Sequence, residues 1–256
     1  MGQGKDIVII GAGNVATHLS QALQRAGNRI LQVYSRTEES AQWLAMQLDC
    51  PYITSLDAVR DDAEVYIFCV KDSALEAVAR GLQGRIGDAL VLHTAGSMPM
   101  EVLPYPRRGV LYPMQTFSRD RHVDFAEIPL FIESATDEAL LRELAQSISQ
   151  HVYAMGSEQR KHLHVAAVLA CNFVNHMYAL SSDVLREAGI PFEVMLPLID
   201  ETARKVHDLA PAQAQTGPAV RFDQNVMQAH EAMLPTDVRE IYQLLSQSIH
   251  RKAQNK

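Results

Sequence analysis

Ile7-Val8-Ile9-Ile10-Gly11-Ala12-Gly13-Asn14-Val15-Ala16 is the stretch on which the reading of the whole chain turns. Its first four residues are apolar without alternation, the pattern of a central strand covered on both faces. Gly-Ala-Gly follows at once and a helical pattern opens behind it, the setting in which a G-x-G-x-x-G/A match carries weight. Gly11 permits a tight turn, Gly13 lets a pyrophosphate approach the backbone, and Ala16 allows close helix–sheet packing. Ala12, Asn14 and Val15 complete the loop. The helix start offers free N–H groups and a positive dipole end to phosphates. The stretch predicts a dinucleotide site.

Working outward, short β-rich runs alternate with helical patterns at Asp6–Ile10, Ile30–Tyr34, Glu64–Val70, Ala89–His93, Gly109–Pro113 and Pro129–Ile132. That alternation predicts an α/β fold, a doubly wound and mostly parallel sheet with helices on both faces. A helix over Thr136–Gln150, capped by Thr136, and a last strand at His151–Met155 close the domain. Beyond Gly156 the pattern is helical throughout: Ser157–Ala188, Phe192–Leu209, Phe222–Met233 and Thr236–Arg251, with Arg251–Lys256 as a frayed tail. The expected domains are residues 1–155 and an all-α domain of residues 156–256.

In parallel sheets ligands lie beyond the carboxyl ends of the strands. The second strand ends in Tyr34-Ser35-Arg36-Thr37, with no carboxylate to grip a ribose 2′-hydroxyl. Ser35, Arg36 and Thr37 suit a 2′-phosphate instead, because guanidinium forms paired charge-assisted hydrogen bonds and hydroxyls add more. That favours NADP(H) over NAD. Further strand ends bring Val70-Lys71, His93-Thr94-Ala95-Gly96 and Tyr112-Pro113-Met114-Gln115 to the same edge. Val70, Lys71, Thr94, Ala95 and Gly96 are assigned to the cofactor, while His93 and Gln115 are candidates for the reaction itself.

On an ideal helix of 100° per residue, Ser157–Ala188 carries a polar stripe. With His164 at zero, Asn175 lies at about 20°, Lys161 at about 60°, Asn172 at about 80° and Ser182 back near zero. The stripe lines a wet cleft or is satisfied by neighbouring helices. His164 and Asn172 are its reaction candidates. His164, Asn172, Asn175 and His176 also interrupt Leu163–Leu180 as a membrane span, so it reads as a buried helix. The length of this apolar helix in so small a domain predicts a homodimer.

The 256 residues carry 47% hydrophobic and 21% charged residues, a composition able to bury a sizeable core. A net charge of −7 without a basic run argues against nucleic acid. Cys50, Cys69 and Cys171 are scattered and odd in number, which suits the cytoplasm. No basic-then-apolar leader opens the chain, and no membrane partner is expected. His162 and His164 point about 200° apart on a helix and cannot share an ion, so no metal is expected. There is no GxSxG elbow or P-loop.

Gly11–Ala16, His93–Ser97, Tyr112–Ser118, His164–Asn175 and Thr216-Gly-Pro-Ala-Val-Arg221 together resemble bacterial Rossmann-like proteins carrying a DUF2520 helical domain, labelled NADP- or coenzyme-F420-dependent oxidoreductases. The resemblance spans nearly the whole chain and lies within the 6-phosphogluconate dehydrogenase-like superfamily, alongside pyrroline-5-carboxylate reductase, ketopantoate reductase and β-hydroxyacid dehydrogenases. It implies a cofactor on the Rossmann domain and a small-molecule substrate between that domain and the helices. F420 enters by family label alone. Hydroxyacid and ketopantoate relatives place a catalytic Lys four residues before a helical Asn; with Asn172 as that Asn, the position holds Val168, and His164 is the substitute. Phe222 stands where the family more often has Gly. The reading is a Rossmann-type NADP(H) oxidoreductase acting on an imine or carbonyl. Its competitor is a non-catalytic NADP(H)-binding or sensing protein.

Overall fold

A computed structural model describes residues 4–254. The chain divides into two compact units, Met1–Cys171 and Asn172–Lys256. The division falls inside the helical run, not at residue 155.

In the first unit β1 (Asp6–Ile10), α1 (Asn14–Arg25), β2 (Arg29–Tyr34), α2 (Glu38–Leu48), β3 (Tyr52–Ile53), β4 (Val65–Phe68), α3 (Asp72–Gly81), β5 (Leu90–His93), β6 (Arg108–Pro113), β7 (Leu130–Ser134), α4 (Glu138–Gln146), β8 (Val152–Ala154) and α5 (Ser157–Ala167) follow in order. The eight strands form one sheet in the order β3-β2-β1-β4-β5-β6-β7-β8. It is parallel from β3 through β6; β7 runs antiparallel to β6, and β8 parallel to β7. β1 is central and covered on both faces: Ile7 and Ile9 join one apolar layer with Leu19, Leu23 and Leu44, and Val8 and Ile10 join the other with Leu75 and Leu82. The two-residue β3 and the reversal of β7 were not predicted.

The predicted helix 136–150 is shorter. Asp137 occupies the N-cap position of α4, and its carboxylate pairs with Arg107 at 2.5 Å while accepting the Thr136 hydroxyl at 2.6 Å. Thr136 therefore does not cap the helix.

The second unit opens at the end of a π turn, Val168–Asn172, and continues with α6 (Phe173–Glu187), α7 (Leu196–Asp208), α8 (Pro211–Ala214), α9 (Pro218–Arg221), α10 (Gln224–Met233) and α11 (Thr236–Gln254). Phe222 takes a left-handed φ of 54° at the end of α9, so the predicted helix from Phe222 starts at Gln224, with Asp223 as its cap. α11 extends to Gln254, which makes Arg251–Gln254 helical; the rest of the predicted tail, residues 255–256, lies outside the described residues. Leu180, Val184, Leu234, Tyr242, Leu245 and Ile249 line an apolar cavity of about 530 Å³ within this unit.

One expectation is reversed. The helical run Ser157–Glu187 is long and apolar enough to cross a membrane, and its apolar window is not buried by the chain. Val165, Leu169, Phe173 and Val174 stand exposed. The run is therefore not the buried helix that its polar residues suggest: Leu180 and Val184 are partly covered, while its middle is open.

Candidate active site

The turn after β1 has the geometry its glycines imply. Gly11 sits at φ 124°, and a Cβ there would come within 2.5 Å of the Cys69 carbonyl oxygen. Only glycine fits, because both the backbone conformation and the neighbouring strand exclude a side chain. Gly13 differs: nothing lies within 4 Å of its would-be Cβ, and it opens α1 without a side-chain cap or an acidic residue in the first turn. Uncapped N–H groups facing open space suit a pyrophosphate.

A segment that the sequence did not single out for this role folds over that loop. Asn14 Nδ2 donates to the Phe117 carbonyl at 2.9 Å, His18 Nε2 donates to the Ser118 carbonyl at 2.9 Å, and Arg119 donates to the Ala12 carbonyl at 3.3 Å. The Arg119 guanidinium also lies 4.4 Å over the Trp43 ring. Val15 is half-buried behind the loop.

At the end of β2, Arg36 and Thr37 are exposed and Ser35 is half-buried; Ser35 Oγ accepts the Thr37 N–H at 3.4 Å. Among the described residues Arg36 makes no ion pair. After β4, Val70 is half-buried and Lys71 is the exposed N-cap residue of α3. Burial pushes the Cys69 thiol up to about 12, so it is no nucleophile.

The ends of β5 and β6 carry the polar chemistry. Thr94 is nearly buried and bonds the Phe68 carbonyl through its N–H at 3.2 Å. Beyond Ala95, Gly96 is packed against two side chains: a Cβ there would meet His164 Nδ1 at 2.6 Å and Tyr112 Cζ at 2.8 Å. Those two are hydrogen-bonded, Tyr112 Oη to His164 Nδ1 at 3.2 Å, with rings edge to face at 6.1 Å. His164 is half-buried on α5 and Tyr112 nearly buried on β6.

α5 is docked by a buried ion pair. Arg160 has no exposed side-chain surface and donates to Glu133 of β7 at 2.5 Å and to the Met98 carbonyl at 2.6 Å. Ser157 donates to the same Glu133 carboxylate at 2.7 Å. Burial alone would raise the Glu133 pKa, but the Arg160 and Ser157 hydrogen bonds outweigh it and hold the carboxylate below its ordinary value.

The other candidates lie elsewhere. His93 has no exposed surface; its Nδ1 accepts the Ala95 N–H at 3.1 Å, and its Nε2 has no hydrogen-bond partner. Burial, reinforced by the Arg160 charge, pushes this imidazole down to about 4. Gln115 is exposed and turned back on itself, Oε1 accepting the Thr116 N–H at 2.8 Å. Asn172 is exposed and ends the π turn. That turn absorbs about one residue, which sets later positions back by roughly 100° from the ideal wheel. The angles that an unbroken α-helix gives Asn172, Asn175 and Ser182 therefore do not hold.

Tyr112, Gly96's fit, Arg160 and Glu133 were not recognised as parts of this site. Tyr112 had a signal, since it begins a quoted strand-end motif; the ion pair joins residues 27 apart in sequence and had none.

Residues 6–96 match the family described as NADP oxidoreductase, coenzyme F420-dependent, and residues 128–249 match the domain of unknown function DUF2520. The structure solved as "putative NADP oxidoreductase BF3122 from Bacteroides fragilis" is 54% identical, covers 97% of this chain and 98% of its own, and superposes with a TM-score of 0.93. The chain belongs to the Rossmann-type NADP oxidoreductase family with a DUF2520 domain. Two more distant structures share the fold. An imine reductase from Myxococcus stipitatus in complex with NADP+ has 15% identity and a TM-score of 0.65, covering 98% of this chain and 93% of its own. A 1-pyrroline-5-carboxylate reductase from Streptococcus pyogenes has 15% identity and a TM-score of 0.62, covering 98% and 100%. No curated protein matches the chain.

Proposed function

We propose that this DUF2520-family protein is an NADP(H)-dependent reductase of a small imine or carbonyl substrate. One observation carries the reading: the carboxyl ends of the parallel strands β1, β5 and β6 bring together an uncapped glycine turn and a hydrogen-bonded His164–Tyr112 pair against Gly96. The distant structural relatives, an imine reductase and a pyrroline-5-carboxylate reductase, agree with it. Gly11–Val15 would hold the pyrophosphate, Ser35–Thr37 the 2′-phosphate, and Val70, Lys71 and Thr94–Gly96 the remainder. When bound, the nicotinamide supplies the hydride. His164 supplies the proton. His93 anchors the strand-end loop through the Ala95 N–H and gives no proton. An imine is favoured over a ketone, because an already protonated C=N asks less of an acid.

The exposed apolar run from Val165 to Val174 supports a homodimer, in which a second copy would cover it. The free cysteines accord with a cytoplasmic enzyme. Titration with NADPH, NADH and F420, followed by a panel of cyclic imines and 2-oxoacids monitored at the nicotinamide absorbance, tests the function. NADPH-dependent turnover of an imine is expected. Tight NADPH binding with no turnover anywhere on the panel would favour the sensing alternative.

A further inference from the structure

We infer that Tyr112 is a positioning residue and proton reservoir for His164: its hydroxyl donates to Nδ1 and so fixes the imidazole in the tautomer whose Nε2–H faces away from the pair. The inference rests on the proposed reductase reading, which needs a proton at His164. The geometry favours it in three ways. The Tyr112 oxygen lies 3.2 Å from Nδ1. Gly96 packs against both partners of this hydrogen bond, since a Cβ there would come within 2.6 Å of Nδ1 and 2.8 Å of Tyr112 Cζ. His164 Nε2 has no protein partner among the described residues, and the ring is half-buried, so Nε2 is the nitrogen left to meet a ligand. Burial raises the Tyr112 pKa, with the Arg160 charge pulling the other way, so the phenol keeps its proton near neutrality and can donate.

The step balances. Hydride arriving at the substrate carbon brings both electrons, and the His164 Nε2–H bond breaks as the substrate nitrogen or oxygen takes that proton. The Tyr112 O–H proton passes to Nδ1, leaving a neutral imidazole and a short-lived phenolate. Water returns a proton to the phenolate. The relay is worth having because the imidazole never carries an isolated charge or a deficit.

The test uses 15N-histidine-labelled protein without cofactor, with His164 assigned by its loss in H164N. The parent is expected to show His164 protonated on Nε2, and Y112F to lose that preference while melting temperature and NADPH affinity stay unchanged. In single-turnover NADPH oxidation with the imine panel, Y112F is expected to be about tenfold slower at unchanged KM and H164N about a hundredfold slower. The double variant should be no slower than H164N. A parent imidazole protonated on Nδ1, or a Y112F spectrum like the parent's, overturns the relay whether or not a substrate is found. A further tenfold loss in the double variant overturns it too, by showing that Tyr112 acts independently. H164N turning over at the parental rate strikes the reductase reading of His164 first, and the relay with it.

Discussion

In the first unit Ile7, Ile9, Val65, Ile67, Leu90 and Leu92 have no exposed surface; in the second, Ala219 and Met227 are the buried hydrophobic residues, while Phe173, Val194, Leu198 and Val206 are all more than half exposed. Similar apolar content therefore does different things. The sheet buries most of its apolar residues in two layers, one on each face, and the Gly11–Val15 loop leaves from its central strand. The helices of the second unit keep much of theirs on the outside, around a cavity. The first unit hides its apolar residues within itself, while the second presents many of them to solvent.

The largest effect expected of that contrast lies at Gly11. Gly11→Val places a side chain 2.5 Å from a backbone oxygen at φ 124°, and should cost more than about 3 kcal/mol in urea unfolding of the first unit. Gly13→Ala, facing open space, should leave the melting temperature within about 2 °C yet weaken NADPH binding at least about tenfold. Equal damage from both would mean that the loop is not shaped for a ligand.

For the second unit, Phe173→Glu should convert a particle of twice 28.4 kDa into one of 28.4 kDa by light scattering, with an interface loss of about 2–3 kcal/mol per ring removed. A parent of 28.4 kDa at micromolar concentration would break the comparison, since the exposed face would then be stable in water.

His93 gives the first unit a pH signature. Its imidazole titrates at about 4 when folded against 6.5 ordinarily, so its contribution is fully present above pH 6.5 and is lost as pH falls towards 4. Up to about 3 kcal/mol should vanish over that window, and His93→Gln should flatten the slope. Glu133 and Asp137, held below their ordinary values, lose their contributions only below about pH 4.5, so the loss between pH 6.5 and 4.5 belongs to His93. Denaturant titrations of the parent and His93→Gln at pH 7, 5.5, 4.5 and 3.5 decide it.

The smallest effect belongs to Phe222, at φ 54° and stacked on His250 at 4.2 Å. Phe222→Gly and Phe222→Ala both lose the ring, but Gly also relieves the left-handed backbone; the Gly variant should be the more stable by about 1 kcal/mol. Equal stabilities would mean that the left-handed turn carries no strain.

What was legible in the sequence follows the same division. Continuous apolar runs and glycines at fixed offsets report local backbone demands, and so the order of strands, the Gly11–Ala16 turn and the carboxylate-free end at Arg36 could be read. A reversal such as β7, a two-residue strand such as Tyr52–Ile53 and a π turn inside an apolar run leave no periodic trace. Nor does pairing at a distance: Tyr112 and His164 were each noticed, yet their bond across 52 residues is a product of packing. The helical stripe failed beyond Val168 because the 100° rule assumes an unbroken α-helix.

The central claim, that the first unit's strand ends hold NADP(H), is tested most directly by calorimetric titration of the parent and Arg36→Ala with NADPH and NADH. The account predicts that the parent binds NADPH the more tightly. Arg36→Ala should weaken NADPH by about 1.5–3 kcal/mol, roughly ten- to a hundredfold, and leave NADH nearly unchanged. Tighter binding of NADH by the parent, or equal weakening of both nucleotides by the substitution, would contradict it.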